Sequence, residues 1–184
     1  AEFVFQNQRT NAVVYGVQPN QENKVFTISK SMIEGSYLSP DDRGEIVLGL
    51  QLAGADKPNL ELYARSLLKV HAGDQVTVSY GNGVQKNYNV KGIFYTEFLQ
   101  TDFQAFVSQT EMEAVNPLTT NAAESIHVKV KADADVPGIV EKIASIQSGL
   151  KVLKWEDYAG IVRSLTDSFR VINAILNVIH LLIA

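Results

Sequence analysis

The stretch QVTVSYGNGVQKNYNVKGIF, residues 75–94, decides the fold class of this chain. In its first part valines alternate with polar residues up to Tyr80, a period of two that is typical of a strand with one buried face. The pair Asn82 and Gly83 then favours a tight hairpin turn, because both residue types tolerate positive φ angles. A returning strand is predicted over residues 84–94, so the middle of the chain is predicted to be an antiparallel hairpin.

Upstream of this hairpin the sequence predicts three more strands and one helix. The strands lie at residues 2–6, 12–17 and 45–48, where aromatic and β-branched side chains cluster. Residues 60–68 carry apolar side chains at helical spacing and predict a helix. Residues 19–23 have the composition of a turn.

Downstream, strands and helices continue to alternate. Residues 105–108 predict a strand and residues 109–115 a short helix that ends before a proline. In the run from Ile126 to Val130 apolar residues alternate with His and Lys, which predicts a half-exposed strand. Asp135 is placed to cap a following helix, and residues 150–153 predict a last short strand.

The C-terminal part predicts one long helix. From Trp155 apolar residues recur at three- and four-residue steps to the last residue, and at 1.5 Å per residue such a helix would be about 45 Å long. Its final run, VINAILNVIHLLIA at residues 171–184, lacks Asp, Glu, Lys and Arg but is shorter than the roughly 20 residues of a bilayer span. It is either a core helix or the start of a truncated transmembrane helix.

Composition excludes several classes of protein. The chain has 184 residues, 46% of them hydrophobic and 20% charged, which is typical of a folded globular domain. A net charge of -4 with scattered Lys and Arg argues against a nucleic-acid partner. The absence of cysteine removes thiolate metal sites, cysteine nucleophiles and disulfides.

The chain lacks the sequence motifs of catalytic and metal sites, which predicts that it is not an enzyme. There is no GxxxxGK[ST] loop, so the chain is not itself an ATPase, and there is no GxSxG elbow. The histidines stand outside zinc-binding motifs and are predicted to be surface or packing residues: His71, His127 and His180. We therefore predict no catalytic residue, no metal and no cofactor.

The acidic pairs are predicted to be structural. Asp41 with Asp42, and Asp133 with Asp135, lie in turn-like segments, where solvated loops or helix caps are more common than acid/base pairs.

Aromatic and polar side chains near the C-terminus leave more than one interpretation. Trp155 and Tyr158 are favoured as core anchors over substrate contacts. The polar residues Arg170, Asn173, Asn177 and His180 share one helical face, which is either a contact between membrane helices or the wet face of a soluble helix.

Five features follow one another in a characteristic order. Residues 28–49 read ISKSMIEGSYLSPDDRGEIVLG, residues 62–78 read LYARSLLKVHAGDQVTV, residues 90–94 read VKGIF, and Asp102 and Trp155 come after them. In this order they resemble the extracytoplasmic, or periplasmic core, domain of MacB/LolC/LolE/FtsX-like ABC transporter permeases.

Not every part of the chain contributes to this resemblance. The run LQLAGADKPNLE, Leu50 to Glu61, stands apart as an insertion. The motif residues Gly35, Gly73 and Gly92 are predicted to serve turns or close backbone approach, and Asp74 to cap local amides.

The resemblance implies an α+β fold with two subdomains. A porter-like, membrane-proximal subdomain would combine residues 1–44 with 121–170, and residues 45–120 would form a β-rich, sabre-like subdomain. Residues 171–184 would begin a transmembrane helix.

The resemblance also implies a function and partners. The protein would lie in the cell membrane, with this domain on the extracytoplasmic side. The domain would couple cytoplasmic ATP hydrolysis to a conformational change on that side, in lipoprotein release or in export of peptides or drugs. Its partners would be an ABC ATPase subunit or domain, a second permease copy or homologue, and a periplasmic accessory protein or lipoprotein. The alternative is a membrane-anchored or soluble ligand-binding or adhesion module without a transporter.

Overall fold

The computed structural model describes residues 1–54, 66–120, 122–146, 149–155 and 157. The chain forms two compact units, Ala1–Lys129 and Val130–Ala184. The first contains all the strands found in the described residues, and the second contains a helix, α5. The α+β class predicted from the sequence is confirmed.

Within the described residues the strands of the first unit form one mixed sheet. They are β1 Glu2–Phe5, β2 Gln8–Asn11, β3 Val13–Val17, β4 Met32–Gly35, β5 Glu45–Gly49, β6 Gln75–Ser79, β7 Gln85–Phe94 and β8 Gln104–Ser108. The order across the sheet is β2-β1-β6-β7-β5-β8-β3, and β4 also pairs with β7. The pairs β3/β8 and β5/β7 are parallel, while the others are antiparallel.

The helices of the described residues are short; three lie between strands along the chain and two follow the last strand. They are α1 Pro19–Val25, α2 Leu50–Ala53, α3 Leu99–Asp102, α4 Gln109–Val115 and α5 Val136–Ile146, with 3-10 turns at Ile28–Lys30 and Pro117–Thr119. The prediction of a turn at residues 19–23 was wrong. Pro19 stands at the first turn of α1, where a proline is tolerated because that N–H has no helical partner.

The central hairpin forms as its sequence predicts. Ser79 pairs with Gln85, and the Tyr80 amide donates to the Val84 carbonyl at 2.8 Å. Gly83 takes a φ of 85°, the left-handed conformation that glycine allows.

Strand β7 changes neighbours at Lys91. Its first half pairs with β6 and its last residues pair with β4, while the Ser36 amide donates to the Lys91 carbonyl at 3.1 Å between them. On the opposite edge the register with β5 shifts between Ile46 and Val47. Such a bulge adds one residue to a strand and re-aims the side chains that follow it.

Two hydrophobic clusters cover the two faces of the sheet. The larger contains Phe3, Ile46, Leu48, Leu50, Leu52, Ala53, Leu67, Val70, Val76, Val78, Tyr88, Val90, Ile93, Ala105 and Val107. The smaller contains Leu38, Val47, Phe94 and Phe106. Because Ile46 and Leu48 lie in one cluster and Val47 in the other, the apolar part of β5 is buried on both faces.

Several predicted elements do not form. Residues 126–130 and 150–153 are not strands. In the first of these runs Ile126 is 82% and Val128 59% exposed. Alternation alone therefore does not bury a strand, since a buried face needs a partner layer.

The predicted helix at 60–68 lies outside the described residues up to residue 65, and residues 66–68 are not helical. Of the predicted insertion, Leu50–Ala53 form α2, and residues 55–61 lie outside the described residues.

The predicted subdomain boundary at residues 44 and 45 is not confirmed. Strands β1 to β4 come before it and β5 to β8 after it, yet all join one sheet, because β4 and β5 both pair with β7. The predicted terminal helix at 171–184 lies outside the described residues, as do Tyr158, Arg170, Asn173, Asn177 and His180. Within the part of the chain that the structure describes, none of the helices has the length and apolarity of a membrane span.

Candidate functional site

Six residues of the motif runs lie near the place where β7 changes neighbours, and we call this set the motif junction: Gly35, Tyr37, Leu38, Gly49, Gly92 and Asp102. Gly35 pairs with Gly92 across β4 and β7. A Cβ added at Gly92 would lie 2.7 Å from the carbonyl oxygens of Glu34 and Ser36, and one added at Gly35 would overlap the Lys91 carbonyl. Of the two predicted roles, turns or close backbone approach, both glycines serve the close approach.

Buried side chains fix the rest of the motif junction. Leu38 is 5% exposed, and the Tyr37 hydroxyl donates to the Glu22 carboxylate of α1. Burial raises the pKa of Glu22, although the hydrogen bond from Tyr37 partly offsets it. The loop after β4 is thereby attached to α1.

Asp102 holds the turn at the far end of β7. Its side chain is buried, and its Oδ1 accepts from the amide and the hydroxyl of Thr96, both at 2.8 Å. A Cβ at Gly49 would overlap the Asp102 carbonyl, so the end of β5 packs directly on α3. The aspartate that the resemblance singled out is thus a buried cap.

Beside the motif junction lies a buried network of charged side chains. Glu111, the third residue of α4, is 1% exposed. Its carboxylate accepts from Lys86 of β7 and from the Gly44 amide at 3.1 Å. Burial opposes ionisation of Glu111, but these donors outweigh it and hold its pKa below the ordinary value.

The same network includes two tyrosines and the cap of α4. The hydroxyls of Tyr80 and Tyr88 lie 2.8 Å apart, and burial raises the pKa of both. The Ser108 hydroxyl accepts from the Glu111 amide at 3.2 Å and donates to the Asp42 carbonyl at 2.8 Å. Helix α4, strand β7 and the loop before β5 are therefore joined by polar contacts.

A second ion-pair group lies at the bulge itself. Lys91 Nζ is 2.5 Å from Asp42 Oδ2 and 3.0 Å from Glu45 Oε2. Burial disfavours the charged amine, but the two carboxylates outweigh it and raise the pKa of Lys91. The carboxylates of both groups are engaged by cations or amides, an arrangement that holds strands together.

The predicted histidines and acidic pairs lie apart. His71 Nδ1 is 3.0 Å from Glu34 Oε1, and the His127 ring packs edge-on against Phe26 at 5.0 Å. Asp42 is in the ion pair with Lys91, Asp135 Oδ1 accepts from the Gly138 amide at 3.2 Å in α5, and Asp74 accepts from the His71 amide at 2.8 Å. In the described residues no three His, Asp or Glu side chains are placed to hold a metal ion.

One prediction about a side chain was wrong, and two buried side chains were missed in the sequence. Trp155, favoured as a core anchor, is 76% exposed. Glu111 and Lys86 were not singled out, although Ser108 and Glu111 have the spacing of a capping box. That spacing predicts the cap of α4, whereas the pairing with Lys86 depends on the distant strand β7.

An open groove of about 400 Å³ lies between α1 and α4. Its walls are mainly amide and apolar side chains, and Gln18 Nε2 donates to Gln109 Oε1 at 2.5 Å across it. Glu113 is the charged residue in its lining. Such a surface can bind polar groups by hydrogen bonds.

The model of the MacB-like periplasmic core domain matches residues 2–146 of this chain, which include the whole sheet and α5. The search of curated proteins returned no match.

Proposed function

Because the chain belongs to the family of MacB-like periplasmic core domains, we propose that it transmits the motion of an ABC transporter to the outside of the membrane. Membership makes it the periplasmic domain of an ABC transporter permease, which is a transporter component and not a typical enzyme. Permeases of this family generally work with ABC ATPase partners. The proposal is that ATP hydrolysis by such a partner moves this domain.

The observation that carries the proposal is the family match over the whole sheet. The contacts that join the strands of that sheet support it, because a sheet that transmits motion has to resist deformation. Strands from distant parts of the chain are joined by the glycine contact between Gly35 and Gly92 and by the ion pairs of Lys86 and Lys91. Such close packing and buried ion pairs resist local deformation.

The more specific parts of the proposal are taken from what membership of the family implies. Residues 171–184 would begin the transmembrane helix through which the motion arrives, and a second permease copy or homologue would complete the transporter. The cargo would be a lipoprotein, a peptide or a drug, handed on outside the membrane with the help of an accessory protein. Porter-like and sabre-like subdomains remain part of this hypothesis.

The test is a distance measurement on the permease with its flanking sequence restored, reconstituted with its ATPase. This chain has no cysteine, so Asn7→Cys, in the exposed turn between β1 and β2, provides a unique spin-label position in it. We expect the distance between two labelled domains to change when ATP is added. An ATPase variant that cannot bind ATP is the control.

Two outcomes would contradict the proposal. The first is an unchanged distance distribution while the ATPase turns over. The second is a flanked chain that fractionates entirely with soluble protein, which would favour the ligand-binding or adhesion module instead.

A further inference from the structure

The groove between α1 and α4 lies at the carboxyl ends of a parallel strand pair. Strands β3 and β8 pair in parallel up to Val17 and Ser108, and α1 and α4 begin directly after them. Gly16 allows α4 to pack closely on β3, because a Cβ added there would lie 2.5 Å from Met112 Cβ. The carboxyl ends of neighbouring parallel strands are the place where α/β sheets form ligand crevices. The groove therefore has the position in the sheet that is typical of a binding site.

A relay of two hydrogen bonds crosses the groove and ends on a carboxylate. Gln18 Nε2 donates to Gln109 Oε1 at 2.5 Å, and Gln109 Nε2 donates to Glu113 Oε1 at 2.8 Å. A carboxylate accepts hydrogen bonds, so Glu113 fixes which end of the Gln109 amide is the donor, and Gln109 in turn fixes the orientation of Gln18. Both ends of the relay are therefore oxygen acceptors: the side-chain carbonyl of Gln18 and the carboxylate of Glu113.

This arrangement selects a ligand that donates hydrogen bonds and carries positive charge. Ammonium and guanidinium groups have several N–H donors and no acceptor, so they match the oxygens of the relay. A phosphate or another anion would face the charge of Glu113, the charged residue among those described in the lining. The net charge of -4 on the whole chain also favours the approach of a cation.

We propose that the groove binds a lysine or arginine side chain on an extended segment of a partner polypeptide. The cation contacts the carboxylate of Glu113. The peptide groups on either side of it meet Asn20 and Thr110, whose side chains both donate and accept hydrogen bonds. Pro19 and Pro40 provide apolar surface for the rest of the segment.

A polypeptide segment fits this groove better than a small free amine does. A free amine has donors alone, so it would use the carboxylate but neither the side chains that also donate nor the proline surface. The volume of about 400 Å³ is within the range of sites for ligands larger than a single amine. The proposal rests on the groove and not on the proposed transport function, which names neither this site nor a basic ligand.

The test is an NMR titration of the isotope-labelled 184-residue chain with the blocked peptide acetyl-AARAA-amide. We expect chemical-shift changes at residues 17–21 and 109–113, with a Kd of roughly 0.1 to 1 mM for one ion pair and a few hydrogen bonds. Glutamine in place of the arginine of the peptide should weaken binding at least about fivefold, because the charge is lost.

Glu113→Gln tests the same ion pair from the side of the protein. The variant keeps an acceptor for Gln109 but removes the charge, so we expect the arginine peptide to bind at least about fivefold more weakly. The matched control is Glu2→Gln, which removes an equal charge from β1, outside the groove lining, and should leave the Kd within about twofold. Circular dichroism of each variant verifies that it is folded.

Several results would overturn the proposal. One is equal weakening by Glu113→Gln and Glu2→Gln, which would mean that the peptide follows only the net charge. Others are shift changes that miss residues 17–21 and 109–113, no shift change up to about 5 mM peptide, or equal binding of the glutamine peptide. If arginine amide alone binds as tightly as the peptide, the groove is a site for small amines and the polypeptide partner is refuted.

Discussion

Two runs of this chain have the same alternating pattern, and only one becomes a strand in the described structure. In β6, Val76 and Val78 are fully buried, and the strand pairs with β1 on one side and β7 on the other. In residues 126–130 the same β-branched types alternate with His and Lys, yet Ile126 is 82% exposed. The two runs share the alternating sequence pattern, but they differ in the strands that surround them.

This difference shows which contacts hold the strands of the sheet together. Next to β7 the strands are fixed by glycines that allow backbone contact and by carboxylates engaged with Lys86 and Lys91. In the described contacts residues 126–130 have neither of these features, although His127 packs on Phe26 and lies 3.3 Å from the Ser125 hydroxyl. Strand formation therefore depends on tertiary neighbours. An alternating sequence provides an apolar face, but only neighbouring strands and side chains bury it.

The largest loss of stability is expected from Gly35→Ala, which disrupts the pairing of β4 with β7. The new methyl group would overlap the Lys91 carbonyl, and the φ of 64° adds left-handed strain, so we expect a loss of about 3–5 kcal/mol in the free energy of unfolding. Urea denaturation measures it.

Gly44→Ala is the matched control for this prediction. Gly44 has a φ of 63° but open space around it, so strain alone should cost about 1 kcal/mol. Equal losses for the two variants would show that backbone contact at Gly35 is unimportant.

The next effect is expected from Glu111→Gln, which tests the buried ion pair. The variant leaves Lys86 without its counter-ion, and because Lys86 is 35% exposed we expect a loss of about 2 kcal/mol at neutral pH, less than for a fully buried pair. Glu2→Gln, in the exposed pair with Arg9, should cost less than about 0.5 kcal/mol.

The pH dependence of this pair has a definite sign. The folded pKa of Glu111 is depressed, so its contribution is present above the unfolded value of about 4.3 and is lost as pH falls through the folded pKa. Denaturation from neutral pH down to acid pH should show a shallower loss for Glu111→Gln than for wild type. Parallel curves would contradict the assignment.

A direct test of the comparison is Val78→Ala against Val128→Ala. Truncating the buried valine of β6 should cost about 2 kcal/mol through lost burial and a cavity. The same change at Val128, which is 59% exposed, should cost less than about 0.5 kcal/mol. Thermal unfolding compares them, and a comparable loss at Val128 would mean that residues 126–130 have a buried face after all.

The smallest effect is expected from Glu22→Gln, and it is stabilising. Burial raises the folded pKa of Glu22, so its ionised form is disfavoured, and a neutral amide that still accepts from Tyr37 should add about 0.5 kcal/mol at neutral pH. Because the folded pKa is raised, the wild-type carboxylate costs stability as pH rises through that pKa. The gain should vanish in acid, and a gain that is independent of pH would refute the electrostatic cause.

Much of the fold could be predicted because its signals are local. Asn82-Gly83 predicts the hairpin turn, Ser108 and the proline after α4 bound that helix, and the run from Glu45 to Leu48 predicts a buried strand. The motif order predicts the family, which the match over residues 2–146 confirms.

The candidate site could be predicted only in part. Gly35 and Gly92 were predicted to serve turns or close backbone approach. That they approach each other was not evident, since they are 57 positions apart in the sequence. The wrong prediction of a strand at residues 126–130 and the wrong prediction of a buried Trp155 have the same cause. A local sequence pattern does not specify which distant segment packs against it.

By itself the sequence determined the elements that depend on neighbours along the chain: the hairpin, the helix caps, the strands from β5 to β8 and the family motifs. Only the tertiary structure decided the exchange of β6 for β4 at Lys91, the parallel pairing of β3 with β8 and the burial of Glu111 with Lys86. The reason is physical. Turn and cap preferences are set within a few residues, whereas strand register and buried ion pairs depend on which distant segments exclude water together.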